Sequence, residues 1–268
     1  MPTVSVTFDN LGEAAELKRG TWPQGQPLGE HFSVRESLPQ LLGMLAAEDI
    51  RATFFLEGLN GKLYPDALSG LAAAGHEVAC HGWRHEPWAE LGAGRERELL
   101  ARARTALGDP AGFRPPGGSL TERGAVPLSE LGFTYCSPAG SRPGRLDGLA
   151  VLPFRWQQID AYYYLPHFGE LRRRNGDPEE PMPAAALRDT VLGALDAHVR
   201  DDGHLVLLFH PFLLAVGPEA VSALDEVLSR VGELVREGDL RCVRMDDAAA
   251  ALPADAPEPE LDTSAWDA

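Results

Sequence analysis

Hydrophobic and polar residues alternate in short stretches along most of the chain. Residues 3–8 alternate and are rich in β-branched side chains, which predicts a strand that begins almost at the first residue. Similar strand-like runs follow at residues 51–56, 76–80, 113–114, 133–136, 151–156, 204–209 and 240–243. The pattern therefore predicts about eight short strands.

Stretches with helical spacing lie between these strands. Ser33 and Glu36 form a capping box, which predicts a helix that continues through Leu45. Further helical patterns cover residues 65–74, 95–107, 121–131, 184–199 and 218–236. Glycines stand just after three of these stretches, at the position that a helix C-cap favours.

Strands that alternate with helices predict an α/β fold with a parallel sheet. About eight units favour a distorted (β/α)7-8 barrel with irregular closure, and a doubly wound open sheet is the competing architecture. We expect a single domain over residues 1–252. Three segments rich in Gly and Pro (10–32, 139–149 and 166–183) are expected to be long loops. Residues 253–268 carry five acidic residues and no Lys or Arg, which predicts a disordered tail.

The composition narrows the classes of partner. The chain has 24 Lys and Arg against 40 Asp and Glu, for a net charge of −16, which disfavours nucleic acid and anionic membranes as partners. No apolar run approaches the roughly 20 residues that cross a bilayer, and the first residues lack the pattern of a signal peptide. Three cysteines cannot all pair within one chain. We therefore expect a cytoplasmic protein whose partners are neither nucleic acid nor a membrane.

Chemically reactive side chains follow several of the predicted strands, at the point where each strand ends. They are Asp9, Asn10, His81, His85, Arg114, Asp160 and His210. Because the carboxyl ends of parallel strands share one edge of a sheet, we expect these side chains to form one site.

His81 and His85 are four residues apart, a spacing that can place two imidazoles on one side of a helical turn. Two such histidines can bind Zn²⁺ or a similar cation and leave positions for a third ligand and water. The spacing alone is also found in histidines that only pack. Its combination with the other strand-end residues is what favours the functional interpretation.

Taken in order, these motifs resemble those of the polysaccharide deacetylases of carbohydrate esterase family four. The matching segments are residues 7–10, 81–85, 114–118, 156–160 and 207–210. The pattern over residues 152–163, the long loop after the first strand and the His-Pro-Phe at 210–212 are similar to the branch with allantoinase-like and cyclic-imide hydrolases. The resemblance implies a distorted barrel that hydrolyses an acetamide with one divalent metal ion.

The resemblance also implies a role for each matching residue. Asp9 would be the general base, His210 the general acid, and Arg114 would orient Asp9. Asn10, His81 and His85 would hold the metal ion, with Zn²⁺ expected and Co²⁺, Ni²⁺ or Mn²⁺ as alternatives. The expected substrate-binding residues are Gly117, Trp83, Trp156, Asp160 and Tyr163.

Some of these substrate-binding roles leave alternatives open. The backbone N–H near Gly117 would face a developing oxyanion. Asp160 would orient a site histidine or contact the substrate. Trp83 would line the pocket or fill the rim of the barrel, and Tyr163 would stack on a sugar ring or belong to the packing.

Two positions depart from the family pattern. Asn10 stands where the family has an aspartate ligand, so it is a weaker third ligand, or Glu13 replaces it, or the metal is lost. Gly117 stands where the family has an aromatic residue. The predicted function is therefore N-deacetylation of an N-acetylated sugar or small N-acyl compound. The alternatives are a cyclic imide or ureide hydrolase with weak or no metal, and a non-catalytic ligand-binding member.

Overall fold

Short strands and helices alternate along residues 1–201 and 203–262, which are the residues that the computed structural model describes. The strands are β1 (Thr3–Asp9), β2 (Thr53–Leu56), β3 (Glu77–Cys80), β4 (Gly112–Phe113), β5 (Tyr135–Cys136), β6 (Gly140–Arg142), β7 (Gly144–Leu146), β8 (Leu149–Val151), β9 (His204–Phe209), β10 (Arg241–Cys242) and β11 (Glu260–Leu261).

The α-helices are α1 (Ala14–Arg19), α2 (Leu38–Ala47), α3 (Gly58–Leu63), α4 (Pro65–Ala73), α5 (Ala93–Ala106), α6 (Val126–Glu130), α7 (Asp160–Tyr164), α8 (Gly169–Arg174), α9 (Ala184–His198), α10 (Pro218–Glu237) and α11 (Met245–Ala251). A π-helical turn, Ser33–Ser37, leads directly into α2. Among the helices of the described residues, none is long and apolar enough to span a membrane.

A curled, mostly parallel sheet forms the centre of the molecule. Its parallel strands run in the order β9, β1, β2, β3, β4, β5 and β8, with β10 also pairing with the start of β1. Strand β7 pairs antiparallel with β8 at one edge. A single bridge between Ile159 and Leu208 links the segment after β8 to β9. The distorted barrel predicted from the sequence is therefore confirmed, and its irregular seam lies between β8 and β9.

Both faces of the central strand β1 are buried, as expected for a parallel sheet covered by helices. Val4, Val6 and Phe8 belong to the hydrophobic core on one face. Thr7 and Asp9 alternate with them on the other face, where both accept hydrogen bonds from one arginine. The barrel interior is thus partly polar at the carboxyl end of the strands.

Several predicted loops and boundaries differ from the observed structure. The segment 10–32 contains α1, the segment 139–149 contains strands β6 to β8, and the segment 166–183 contains α8. The predicted helix over 121–131 is shortened to α6. Strands of two or three residues carry too little periodicity to be recognised in a sequence.

The tail also differs from the expectation of disorder over its described part, residues 253–262. Strand β11 pairs with β6, and the backbone N–H of Asp262 donates to the carbonyl of Ala139. A Cβ at Gly144 would lie 2.2 Å from the carbonyl oxygen of Pro257, so the glycine allows the tail to pack closely. Residues 263–268 lie outside the described residues.

Candidate active site

The register of the sheet brings the reactive side chains together at the carboxyl ends of the strands. Phe8 pairs with Phe209, so the residues that follow them, Asp9 and His210, lie side by side. Cys80 pairs with Phe113 in the same way, which places His81 next to Arg114. The convergence predicted from the sequence is therefore observed.

Asp9 and Arg114 form a buried ion pair. The Arg114 Nη1 donates to Asp9 Oδ1 at 2.7 Å, and both side chains are almost fully buried. Nη1 also donates to Thr7, while Nε and Nη2 donate to the hydroxyl of Ser137. The guanidinium lies 3.9 Å from the centre of the Phe55 ring. Arg114 is thus fixed on several sides, and it balances the charge of Asp9 and sets its orientation.

His210 and Asp160 form a second buried pair. Nδ1 of His210 lies 2.6 Å from Asp160 Oδ1, and the backbone N–H of His210 donates to Oδ2. Burial lowers the pKa of His210, but the charge and hydrogen bond of Asp160, together with the charge of Asp9, outweigh it, so the pKa is raised from its ordinary value. Of the two roles expected for Asp160, the structure shows the orientation of a site histidine.

A tight turn over residues 82–84 joins His81 to His85. Gly82 has φ of 76° and His85 has φ of 61°, so two residues with left-handed backbone conformations reverse the chain within five residues. The Glu86 carboxylate accepts hydrogen bonds from the backbone N–H groups of Trp83 and Arg84. The two imidazole rings lie 5.0 Å apart, centre to centre. Glu86 therefore holds the turn that sets the distance between the histidines.

Both histidines are favoured in their neutral form. Burial lowers the pKa of His81 to about 3, with a further contribution from Arg114. Burial, together with His81, lowers the pKa of His85 well below its usual range. His81 Nδ1 lies 2.9 Å from the Arg114 carbonyl oxygen, so Nδ1 carries the proton and donates it to this oxygen. Nε2 is therefore unprotonated and has a free lone pair. Neutral imidazole with one nitrogen fixed by a hydrogen bond is the form that binds metal ions.

Asn10, directly after β1, and the two histidines offer donor atoms of types that suit a divalent metal ion, but the asparagine supplies one negative charge fewer than an aspartate would. Asn10 has φ of 58°, and its buried Oδ1 has no hydrogen-bond partner in the part of the chain that the structure describes. Within residues 1–201 and 203–262, no group of three His, Cys, Asp or Glu side chains is placed to hold a metal. The set is instead two imidazoles and one amide oxygen, which are ligand types found in such sites.

Glu13, the alternative third ligand, is bonded elsewhere. One of its carboxylate oxygens accepts from the Tyr64 hydroxyl at 2.5 Å, and the other accepts from the backbone N–H of Gly29 at 2.7 Å. Both oxygens therefore anchor the loop after β1. This arrangement favours Asn10 as the third donor.

The predicted substrate-binding residues occupy different surroundings. Gly117 lies in the turn after Arg114 with φ of 78°. Trp156 packs against Gly118, where a Cβ would lie 3.1 Å from its ring. Trp83 and Tyr163 are each only 3% exposed, so both rings are packed, and Trp83 also borders a surface cavity beside the turn between the histidines.

Three buried polar groups around the site were not selected from the sequence. Ser137 accepts hydrogen bonds from Arg114 and directly follows β5, a strand of only two residues. The Tyr164 hydroxyl is buried with no hydrogen-bond partner among the described residues, and burial, together with nearby Asp160, raises its pKa. Glu57 follows β2 in register with His81, and burial raises its pKa to about 8. A glutamate after an apolar strand was the one available clue.

Comparison with protein families agrees with this geometry. The family model for polysaccharide deacetylase matches residues 2–136, just over half of the chain. A peptidoglycan-N-acetylglucosamine deacetylase of Bacillus cereus is 29% identical over 103 residues, which are 37% of this chain and 38% of that protein. The chain therefore spans well under half of the length of this curated relative.

Solved structures with the same fold cover nearly the whole chain. A candidate polysaccharide deacetylase from Mycobacterium smegmatis has a TM-score of 0.80 at 27% identity, covering 98% of this chain and 93% of that one. The PuuE allantoinase has a TM-score of 0.72 at 18% identity, covering 93% of this chain and 89% of that one. The second likeness concerns the fold alone.

Proposed function

Because the chain belongs to the polysaccharide deacetylase family, we propose that it is an amide hydrolase that removes the acyl group from an N-acetylated sugar or a small N-acyl compound. One observation carries the proposal. The Asp9–Arg114 pair and the His210–Asp160 pair follow neighbouring strands, so a base and an acid stand on adjacent positions beside two neutral histidines.

Asp9 takes the role of general base. Its Oδ1 is held by Arg114, and its Oδ2 lies 3.8 Å from His81 Nε2, so this second oxygen points toward the histidines. A carboxylate in that position can take a proton from a water molecule as the water attacks the acyl carbon. Arg114 keeps the carboxylate aligned without blocking Oδ2.

His210 takes the role of general acid. Asp160 binds its Nδ1, so Nε2 is the nitrogen left to face a substrate. Although burial lowers the pKa of His210, Asp160 and Asp9 raise it overall, which favours the protonated imidazole that can donate to the departing amine. The unpartnered Tyr164 hydroxyl near Asp160 supplies a polar group for the substrate.

Asn10, His81 and His85 would hold a divalent metal ion, for which Zn²⁺ is our first expectation and Co²⁺, Ni²⁺ or Mn²⁺ are alternatives. Such an ion, when bound, polarises a carbonyl oxygen and makes a nearby water more acidic. An amide oxygen binds such an ion more weakly than a carboxylate does, since it brings no charge.

A cytoplasmic location stays a prediction from the sequence.

The test is turnover by the purified protein with added Zn²⁺, measured on N-acetylglucosamine oligomers and on small N-acyl amides. Asp9→Asn removes the base and keeps the shape of the side chain, so kcat should fall by roughly 10²–10⁴ with the fold retained. Asp225→Asn, an exposed position on α10, serves as the matched control and should keep full activity.

Three outcomes would contradict this assignment. Unchanged turnover in Asp9→Asn removes Asp9 from the role of base. Turnover of cyclic imides or ureides without turnover of any N-acyl compound favours the hydrolase alternative, for which Asn10 is the supporting residue. Ligand binding without turnover on either panel favours the non-catalytic alternative.

A further inference from the structure

A surface cavity of about 430 Å³ lies beside the turn that carries the two histidines. Its lining includes four basic side chains and one acidic one around an indole ring: Lys18, Arg84, Arg95, Arg102, Glu86 and Trp83. In a chain whose net charge is −16, a cavity with this lining is a local reversal of the overall charge.

The four cations come from three separate segments of the chain. Lys18 lies in the last turn of α1, and Arg84 lies in the turn between the histidines. Arg95 and Arg102 both belong to α5 and are seven residues apart, which places them on the same face of the helix two turns apart. The basic character of the cavity therefore arises from tertiary folding and not from a local run of charge.

Most of this positive charge has no carboxylate to balance it. Arg95 pairs with the exposed Glu98, but Lys18, Arg84 and Arg102 form no ion pair within 4.0 Å anywhere in the described residues. The only acid of the lining, Glu86, accepts hydrogen bonds from two backbone N–H groups.

Arginines elsewhere on the surface are often paired with acids. Arg97 pairs with Glu130, and Arg230 pairs with Asp196. Acidic residues outnumber basic ones by 40 to 24, so neutralising partners are plentiful in this chain. Like charges gathered in a concave surface repel one another and raise the local concentration of anions. The basic side chains of the cavity lack the carboxylate partners that neutralise other arginines. A bound anion would neutralise them instead.

The side chain of Arg102 is held in place by the indole of Trp83. Its guanidinium lies 3.8 Å from the centre of the ring, at stacking distance. The ring itself is buried and is confined by α3, since a Cβ at Gly58 would lie 2.8 Å from it. A guanidinium that is already oriented loses less freedom when it binds a ligand.

We propose that this cavity is an anion-binding site that accepts the phosphate or carboxylate group of a small molecule. Arginine presents several N–H donors in a planar fork, which suits the oxygens of either group. The cavity is larger than a single phosphate needs, so it has room for part of the attached molecule. Because Trp83 and Arg84 belong to the turn between His81 and His85, the anion lies next to the candidate active site.

The first experiment measures binding of inorganic pyrophosphate by isothermal titration calorimetry at low ionic strength. We expect one saturable site whose affinity falls as salt is added. Arg102→Gln and Arg84→Gln should each weaken binding by roughly tenfold to a hundredfold, because each removes a charge-assisted hydrogen bond. Arg97→Gln loses the same charge from the same helix but lies outside the cavity, and it should bind like the unchanged protein.

Saturable binding that is lost in the two cavity variants and kept in Arg97→Gln supports the site. Absence of saturable binding to the unchanged protein overturns it. An equal loss in all three variants also overturns it, since the effect would then reflect net charge. Circular dichroism and thermal unfolding of each variant show whether the fold is retained.

The second experiment asks whether the anion belongs to the substrate, an assignment that rests on the proposed function. kcat/KM is compared for N-acetylglucosamine and for N-acetylglucosamine phosphate. A preference of about tenfold or more for the phosphorylated sugar, lost in Arg102→Gln, assigns the anion to the substrate. Pyrophosphate that changes the rate without competing with substrate assigns it to a separate ligand of the same site. If neither sugar is turned over while pyrophosphate still binds, the proposed function fails and the anion site stands.

Discussion

At the scale of single residues, the informative position is Asn10. The buried, unpartnered Oδ1 of Asn10 and the Nε2 of His81 offer the electron pairs that a cation needs, but the asparagine brings no negative charge. A metal ion bound by a neutral amide instead of a carboxylate loses part of its binding free energy, because the ligands then carry one negative charge fewer. A series at position 10 separates the contribution of the oxygen atom from that of the charge.

We expect Zn²⁺ affinity to follow the order Asp, Asn, Ala at position 10. Asn10→Asp should bind at least about tenfold more tightly than the unchanged protein, and Asn10→Ala should bind more weakly. Elemental analysis after equilibrium dialysis gives the affinities without reference to activity. Equal affinities in all three proteins would mean that residue 10 is not a ligand, and the third donor would have to be sought elsewhere.

Asp160 controls the protonation of His210, and Asp160→Asn tests this directly. Asparagine keeps the size of the side chain and one oxygen that can still accept from His210 Nδ1, but its NH2 group replaces the oxygen that accepts from the backbone N–H of His210. The change therefore removes the charge and one of the two hydrogen bonds. Without the carboxylate, burial dominates and the pKa of His210 falls. A general acid must be protonated, so activity is lost as pH rises through this pKa.

The alkaline limb of the kcat/KM profile should therefore move to lower pH by about one unit or more in Asp160→Asn. Asp225→Asn should leave the profile in place. An alkaline limb that stays put, or that moves to higher pH, would exclude His210 as the acid that this limb reports.

At the scale of elements, the sequence predicted most strands that position the site. Strands β1, β2, β3 and β9 have four to seven residues and were recognised by their apolar or alternating pattern. The first residue past each of them could therefore be assigned to one edge of the sheet. This explains why residues as distant in sequence as Asp9 and His210 could be expected to meet.

The elements that the sequence could not predict are those stabilised by tertiary contacts alone. Strands β6 and β11 have three and two residues, and they pair across more than a hundred positions. The acidic composition of the tail predicts disorder, but glycines at 140 and 144 let its backbone approach closely. A close backbone contact at a glycine produces no hydrophobic periodicity in the sequence. Contacts of this kind can therefore be recognised only in the structure.

The same limit explains why Trp83 and Tyr163 were expected to have a possible role in binding. An aromatic residue between two histidines, or after a strand, has the same sequence pattern whether it faces a ligand or the core. Trp83 is enclosed by α3 and Arg102, and the Tyr163 hydroxyl donates to the carbonyl of Gln157. Burial of a ring depends on helices that the local pattern does not describe.

At the scale of the whole molecule, the two ends of the barrel carry different chemistry. The candidate active site occupies the carboxyl ends of the strands, and the amino ends hold a second buried acid, Glu77, at the start of β3. Its carboxylate accepts hydrogen bonds from Thr53 in β2, from Tyr135 in β5 and from the backbone of Asp246 in α11. Glu77 thus links elements around the closed end of the barrel, where residues serve stability.

Glu77 should make the stability of the whole fold depend on pH. Burial, with Asp246, raises its pKa to about 7 from an ordinary value of 4.5, so the folded protein holds a proton that the unfolded chain releases. The free energy of unfolding therefore falls as pH rises from about 4.5 to about 7, by up to about 3 kcal/mol from this group. Glu77→Gln mimics the protonated acid and should remove this dependence.

Urea unfolding of both proteins between pH 5 and pH 8 gives the measurement. The two should be similar in stability at pH 5, and the variant should become the more stable one as the pH rises, because only the unchanged protein must bury a charge at pH 8. Glu180→Gln, at an exposed position, should show no such divergence. A constant difference between Glu77→Gln and the unchanged protein at every pH would mean that Glu77 is ionised in the fold throughout, held by its three donors and not neutralised by burial.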